Sequence, residues 1–264
     1  MDVIIFSGQS NMQGQTECLT ECEAVAGAQE YRYLQDALVP LQNPVGEDIC
    51  YDKTAGGSLK NLTQSEWLRM HVLGASCYGN TNMVPSFCRA YIKATGREVV
   101  AAHCAKGSTV IAQWLPGTDG YAMLVEKAKG AIRLAGEGRV FFVWLQGESD
   151  AIFKTTKEEY KRAIATLCRA LEKDLGVERF GVIRVGRFTG DDRDLEILAA
   201  QDEICREDDG FLMLTDITRD MIYQPEYMNP QVAGHFGARG QEKLGDLAGR
   251  SLGAYVLATE TGRA

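Results

Sequence analysis

The sequence predicts an α/β fold in which helices cover both faces of a parallel sheet. Three observations predict it. Apolar runs such as Val3-Ile4-Ile5-Phe6 and Val140-Phe141-Phe142-Val143-Trp144 are unbroken, as strands buried on both faces must be. From about residue 84 onward, strand-like and helix-like segments alternate, the order that builds a parallel sheet through right-handed crossovers. The length of 264 residues and a hydrophobic share of 45% suit one large domain with a full core.

The elements follow in order. Val3 to Phe6 is the first strand, and Gly8 ends it. Residues 15–80 carry Gly, Asn and Thr clusters with little periodicity and are expected to form an irregular insertion beside the active cleft. Pro85 to Thr95 reads as a helix, with proline in its first turn and Gly96 past its end. Glu98 to His103 is a strand, Tyr121 to Leu134 a helix and Arg139 to Leu145 a strand. Thr156 to Leu175 is the clearest helix. Thr156 and Glu159 make a capping box, Tyr160, Ile164, Leu167, Leu171 and Leu175 form one apolar stripe, and Gly176 closes it. Phe180 to Val185 and Phe211 to Leu214 are strands, with a helix from Leu195 to Cys205 between them. Ala238 to Val256 is the closing helix. The expectation is a single domain over residues 1–264 with a parallel sheet of about five strands.

Composition removes several function classes. A net charge of −8 argues against a nucleic-acid or anionic-membrane surface, since both repel an acidic protein. The first apolar run is too short for a signal peptide or membrane span and lacks a basic flank, so a cytoplasmic protein is expected. The eight cysteines are irregularly spaced and include no Cys-x-x-Cys pair, so neither a disulfide framework nor a zinc site is expected. Cys88, Cys168 and Cys205 read as reduced helix thiols.

Chemistry concentrates where strands end. Ser10 in Gly8-Gln9-Ser10-Asn11-Met12 directly follows the first strand, at the carboxyl edge where open α/β sheets bind ligands. A nucleophilic serine needs a base near neutral pH, and the chain has three histidines. His103 ends an apolar strand and is expected to pack there, and His71 lies in the irregular region. His235 sits in a loop at a helix entrance, where it can face a cleft. Glu148 and Asp150, in Gln146-Gly147-Glu148-Ser149-Asp150, follow a buried strand and can supply an acid for the histidine. Trp114 and Trp144 could stack on a ring-shaped ligand, although a strand position favours core packing for Trp144.

These segments, together with Lys106-Gly107-Ser108 leading to Trp114 and His235-Phe236-Gly237-Ala238-Arg239-Gly240-Gln241, resemble the SGNH-hydrolase superfamily. Within it they resemble carbohydrate esterases related to acetylxylan esterases and sialate O-acetylesterases. The four blocks occur in the family's order and run from residue 8 to residue 241. The resemblance implies a flavodoxin-like three-layer α/β/α sandwich and a serine esterase that deacetylates mono- or oligosaccharides without metal or cofactor. It implies Ser10 as nucleophile, His235 as general base and Glu148 as its acid partner. It implies an oxyanion hole from the N–H groups of Ser10 and Gly107 and the side-chain amide of Gln146. Gln9, Asn11 and Asp150 read as supports of these loops, with Asp150 also an alternative acid partner for the histidine. One departure stands out. The superfamily's Asp-x-x-His position is Val232 here, which leaves Glu148, or more remotely Asp216 or Asp220, to supply the acid. A lipid esterase or thioesterase on the same scaffold, and a carbohydrate-binding protein without turnover, are the rival readings.

Overall fold

The computed structural model describes residues 1–18, 23–33, 35–46 and 81–262. His71, Cys22, Cys50 and Cys77 lie outside them, as does most of the expected insertion. The described strands are β1 (Asp2–Gly8), β2 (Ala28–Arg32), β3 (Ala37–Pro40), β4 (Val99–Ala105), β5 (Val140–Leu145), β6 (Arg179–Ile183) and β7 (Phe211–Thr215). They form one sheet in the order β3-β2-β4-β1-β5-β6-β7. All neighbours are parallel except β2 and β3.

The sheet therefore has seven strands among the described residues rather than about five. Both additions come from the segment expected to be irregular. β2 and β3 form a hairpin-like antiparallel pair whose outer member ends in Pro40, and proline is tolerated at a sheet edge because no neighbour needs its missing N–H. The five expected strands are all present.

The described helices are α1 (Ser10–Gln13), α2 (Val84–Thr95), α3 (Asp119–Ala135), α4 (Glu148–Ile152), α5 (Lys157–Leu175), α6 (Arg193–Glu207), α7 (Thr218–Met221) and α8 (Ala238–Glu260). From β1 the chain runs out to β2 and β3 at one edge, returns through α2 to β4, and then crosses to β5, β6 and β7 on the other side. α3 packs on β4, α5 on α3 and α6 on α5. α8 then packs on α2. Among the described residues no helix is long and apolar enough to cross a membrane.

Local chemistry explains the helix ends. In α5, Thr156 Oγ1 accepts from the Glu159 N–H at 3.3 Å, and Glu159 Oε2 accepts from the Thr156 N–H at 3.0 Å, the capping box expected from sequence. Gly245 and Gly249 of α8 face α2 at contact distance. A Cβ on Gly249 would lie 2.2 Å from the Phe87 carbonyl oxygen. Cys88 and Cys168 are buried thiols in α2 and α5, and Cys205 in α6 is half-buried. Burial pushes the Cys168 and Cys205 thiols up to about 12.

Candidate active site

Sheet register assembles the site. Gly8 of β1 pairs with Ala105 of β4 and with Leu145 of β5. The segments that follow these residues, Gln9 to Gln13, Lys106 to Thr109 and Gln146 to Asp150, therefore emerge side by side at one edge. The edge lies where the connections from β1 diverge, the position at which open sheets form a ligand crevice. Gly8 makes the close approach possible. Its φ is +147°, and a Cβ there would sit 2.0 Å from the Leu145 carbonyl oxygen. Only glycine lets β1 turn into α1 against β5.

Ser10 is the first residue of α1 and is 6% exposed. Its Oγ lies 2.8 Å from Nε2 of His235. His235 Nδ1 lies 2.9 Å from the Ala233 carbonyl oxygen, which can only accept, so Nδ1 carries the proton and Nε2 is the basic lone pair facing the serine. Burial holds the His235 imidazole below its ordinary value, against the opposing effect of the Ala233 carbonyl. The Phe188 ring meets the imidazole edge-on at 5.9 Å. The loop carrying His235 is pinned from both sides. Asn229 N–H donates to the His235 carbonyl at 2.8 Å, and Gly237 N–H donates to the Tyr227 carbonyl at 2.8 Å.

Glu148 is not the hydrogen-bond partner of His235. It is 3% exposed, and its Oε1 accepts from Asn11 Nδ2 at 2.8 Å, while Oε2 is buried with no partner. The Nδ1 position that an acid would occupy is taken by the Ala233 carbonyl. Burial raises the Glu148 carboxyl, with the Asn11 amide working against it. Asp216 and Asp220 are exposed, and Asp220 pairs with Arg219 at 3.3 Å. Val232, at the departed acid position, contributes only its carbonyl, which accepts from the His235 N–H at 3.3 Å.

Gln146 also departs from the role that the resemblance implies. Its amide nitrogen donates to the Thr109 carbonyl at 2.8 Å and to Asp150 Oδ2 at 2.5 Å, so both hydrogens are committed within the surrounding loops. Asp150 is 1% exposed, accepts from Ile111 N–H at 2.9 Å and Thr155 Oγ1–H at 2.8 Å, and its carboxyl is raised by burial. It ties the β4 loop to the β5 loop. Gln9 Oε1 accepts from Ser149 N–H at 3.1 Å and joins β1 to α4. Gly107 lies against the serine, since a Cβ on it would be 3.7 Å from Ser10 Cβ. Its N–H donates to Gln13 Oε1 at 3.0 Å.

The remaining candidates are structural. His103 is fully buried in β4, lies 3.0 Å from the Met12 carbonyl and is pushed by burial down to about 4. Trp144 and Trp114 are both buried and meet edge-on at 5.7 Å, so neither ring is open to a sugar. Two contacts have no sequence signal. The Ala233 carbonyl is a backbone atom, and Gln13, although it closes the block that holds Ser10, shows its contact with Gly107 only once the fold is formed.

Residues 1–251 match the family described as SASA, carbohydrate esterase, sialic acid-specific acetylesterase. No curated protein matches the chain in sequence. Among solved structures, an Arabidopsis thaliana protein is similar with a TM-score of 0.67 at 17% identity, over 95% of this chain and 97% of that one. NanS is similar with a TM-score of 0.62 at 11% identity, over 99% of this chain and 98% of that one. A carbohydrate acetylesterase from Xanthomonas citri is similar with a TM-score of 0.57 at 15% identity, over 96% of this chain and 56% of that one. At these identities the likeness to the solved structures is one of fold. The family match, running through all the edge segments that meet around Ser10, establishes that the chain belongs to the sialic acid-specific acetylesterase family of carbohydrate esterases, and so to the carboxylic ester hydrolases.

Proposed function

We propose that the chain removes O-acetyl groups from an acetylated mono- or oligosaccharide by acyl transfer through Ser10. The observation that carries this reading is the 2.8 Å contact between Ser10 Oγ and His235 Nε2, within a carbohydrate-esterase family. Nε2 takes the hydroxyl proton as Oγ attacks the acetyl carbonyl carbon, giving a tetrahedral oxyanion and an imidazolium. The Ala233 carbonyl keeps the ring oriented through Nδ1–H and stabilises the imidazolium as a dipole rather than as a full charge.

Backbone N–H groups hold the oxyanion in this reading. The Ser10 N–H belongs to the first turn of α1, where no intrahelical acceptor exists. The Gly107 N–H exchanges Gln13 Oε1 for the substrate oxygen. Each such donor contributes about 3 kcal/mol of transition-state stabilisation. The intermediate collapses by breaking the bond to the sugar oxygen, which leaves as an alcohol with the proton from Nε2. Water, deprotonated by the same nitrogen, then attacks the acetyl-serine and releases acetate.

The acetyl-serine is the testable intermediate. Protein quenched in acid during turnover of an activated acetyl ester should yield a peptide containing Ser10 that is heavier by one acetyl group. Acetyl found only on other residues would refute Ser10 as the nucleophile.

A further inference from the structure

Asn11, next to the serine, has a side chain whose hydrogen-bonding groups are all engaged at the two loops that frame the site. It is 3% exposed. Nδ2 donates to Glu148 Oε1 at 2.8 Å and to the Gly234 carbonyl at 3.3 Å, and Oδ1 accepts from the Phe236 N–H at 3.0 Å. Gly234 and Phe236 are the residues on either side of His235. The amide's orientation is fixed by chemistry, because a carboxylate and a carbonyl can face only the nitrogen and a backbone N–H can face only the oxygen. Gln241 adds a further tie by donating from Nε2 to the Asn11 carbonyl at 2.8 Å. The residue beside the nucleophile thus grips the backbone on both sides of the base.

We infer that Asn11 and Glu148 form a positioning pair: Glu148 orients the Asn11 amide, and that amide sets the His235 loop against Ser10. This inference rests on the reading of Ser10 and His235 as nucleophile and base. Glu148 acts as an acceptor that locks the amide, and its charge is not the counter-ion of the imidazolium. The neutral isostere glutamine, which keeps an acceptor oxygen, can therefore stand in for it. An aspartate at position 11 cannot replace the amide, because it sets acceptors against the Glu148 carboxylate and the Gly234 carbonyl.

Steady-state ester hydrolysis by Glu148→Gln, Glu148→Ala, Asn11→Asp, Asn11→Ala and the Asn11→Ala/Glu148→Ala double variant tests this, with folding checked by circular dichroism. Losing the grip shifts the base by a fraction of an ångström to an ångström, so Asn11→Asp and Asn11→Ala should lose about 10²-fold in kcat with KM little changed. Glu148→Gln should stay within about tenfold of wild type, with the acidic limb of its pH profile unmoved, since a lost counter-ion would shift that limb to lower pH. The double variant should be no slower than Asn11→Ala alone. Equal losses in Glu148→Gln and Glu148→Ala, or losses that multiply in the double variant, would overturn the proposal in favour of a direct charge effect.

A second readout needs no turnover. The His235 Nδ1–H signal in proton–nitrogen NMR should be sharp in wild type and in Glu148→Gln, and broadened in Asn11→Ala. If the wild-type serine fails to react with any ester or with a fluorophosphonate, the hydrolase reading falls. The NMR result then decides placement by itself, and an unchanged signal in Asn11→Ala overturns the positioning role.

Discussion

At the scale of single residues, Ser10 meets His235 at Nε2, and a main-chain carbonyl, that of Ala233, occupies the other ring nitrogen. A carbonyl can hold the imidazole tautomer but offers no charge to hold its proton. Burial then dominates and keeps His235 below the ordinary imidazole value of 6.5. In the proposed mechanism the neutral ring is the working form, so activity should be lost as pH falls through this depressed value and retained above it. The acidic limb of kcat/KM should therefore fall below pH 6.5, and a pH profile of ester hydrolysis with its limb at or above 7 would contradict this. His235→Ala should lose about 10⁴-fold or more in kcat, measured on the same ester. Much of this site is legible in the sequence. Ser10, Gly107, Glu148 and His235 stand out because each follows a strand or precedes a helix in a recognisable block. The partner of His235 is not legible, because Ala233 contributes an atom that every residue type carries. Nor can a motif reveal that the hydrogens of Gln146 are committed to Thr109 and Asp150.

At the scale of elements, α2 and α8 form one packed pair behind the His235 loop. α8 begins just after His235 and lies against α2, with Gly245 and Gly249 at the points of closest approach. Alanine in an exposed helix interior ordinarily stabilises by about 1 kcal/mol over glycine. At Gly249 the added methyl would meet the Phe87 carbonyl oxygen at 2.2 Å, so the helices must separate. Gly249→Ala should accordingly destabilise by about 1–3 kcal/mol, the range for overpacking, and chemical denaturation would show it. A gain in stability would mean that the helix contact is looser than described. The long helices were readable from their stripes and caps, as α5 illustrates with Thr156, Glu159 and Gly176. β2 and β3 were not: β2, Ala28-Gln29-Glu30-Tyr31-Arg32, lacks the apolar run that marks the five-residue β6 and β7, β3 has four residues and ends in proline, and their places are set by pairing, β2 on β4 and β3 on β2.

At the scale of the molecule, one sheet carries the segments after β1, β4 and β5 to one edge, and the loop before α8 brings His235 to them. β1 is the centre of that arrangement, flanked by β4 and β5 in matched register, and it is buried along its whole length. Unfolding any of these three strands would expose the core and dismantle the site together. Loss of ester hydrolysis and loss of far-UV circular dichroism should therefore coincide in urea, and activity lost well before the ellipticity would show that the edge segments fold as a separate unit. The parallel order and the crossovers were foreseeable from alternating strands and helices, whereas the number of strands was not. The most direct measurement of the central claim is acetate release from O-acetylated sugars, with acetylated xylo-oligosaccharides and O-acetyl sialic acid in parallel, by wild-type protein and Ser10→Ala. Wild-type protein should release acetate from at least one of them, and Ser10→Ala none above background. No release by folded wild-type protein, or equal release by Ser10→Ala, would contradict it.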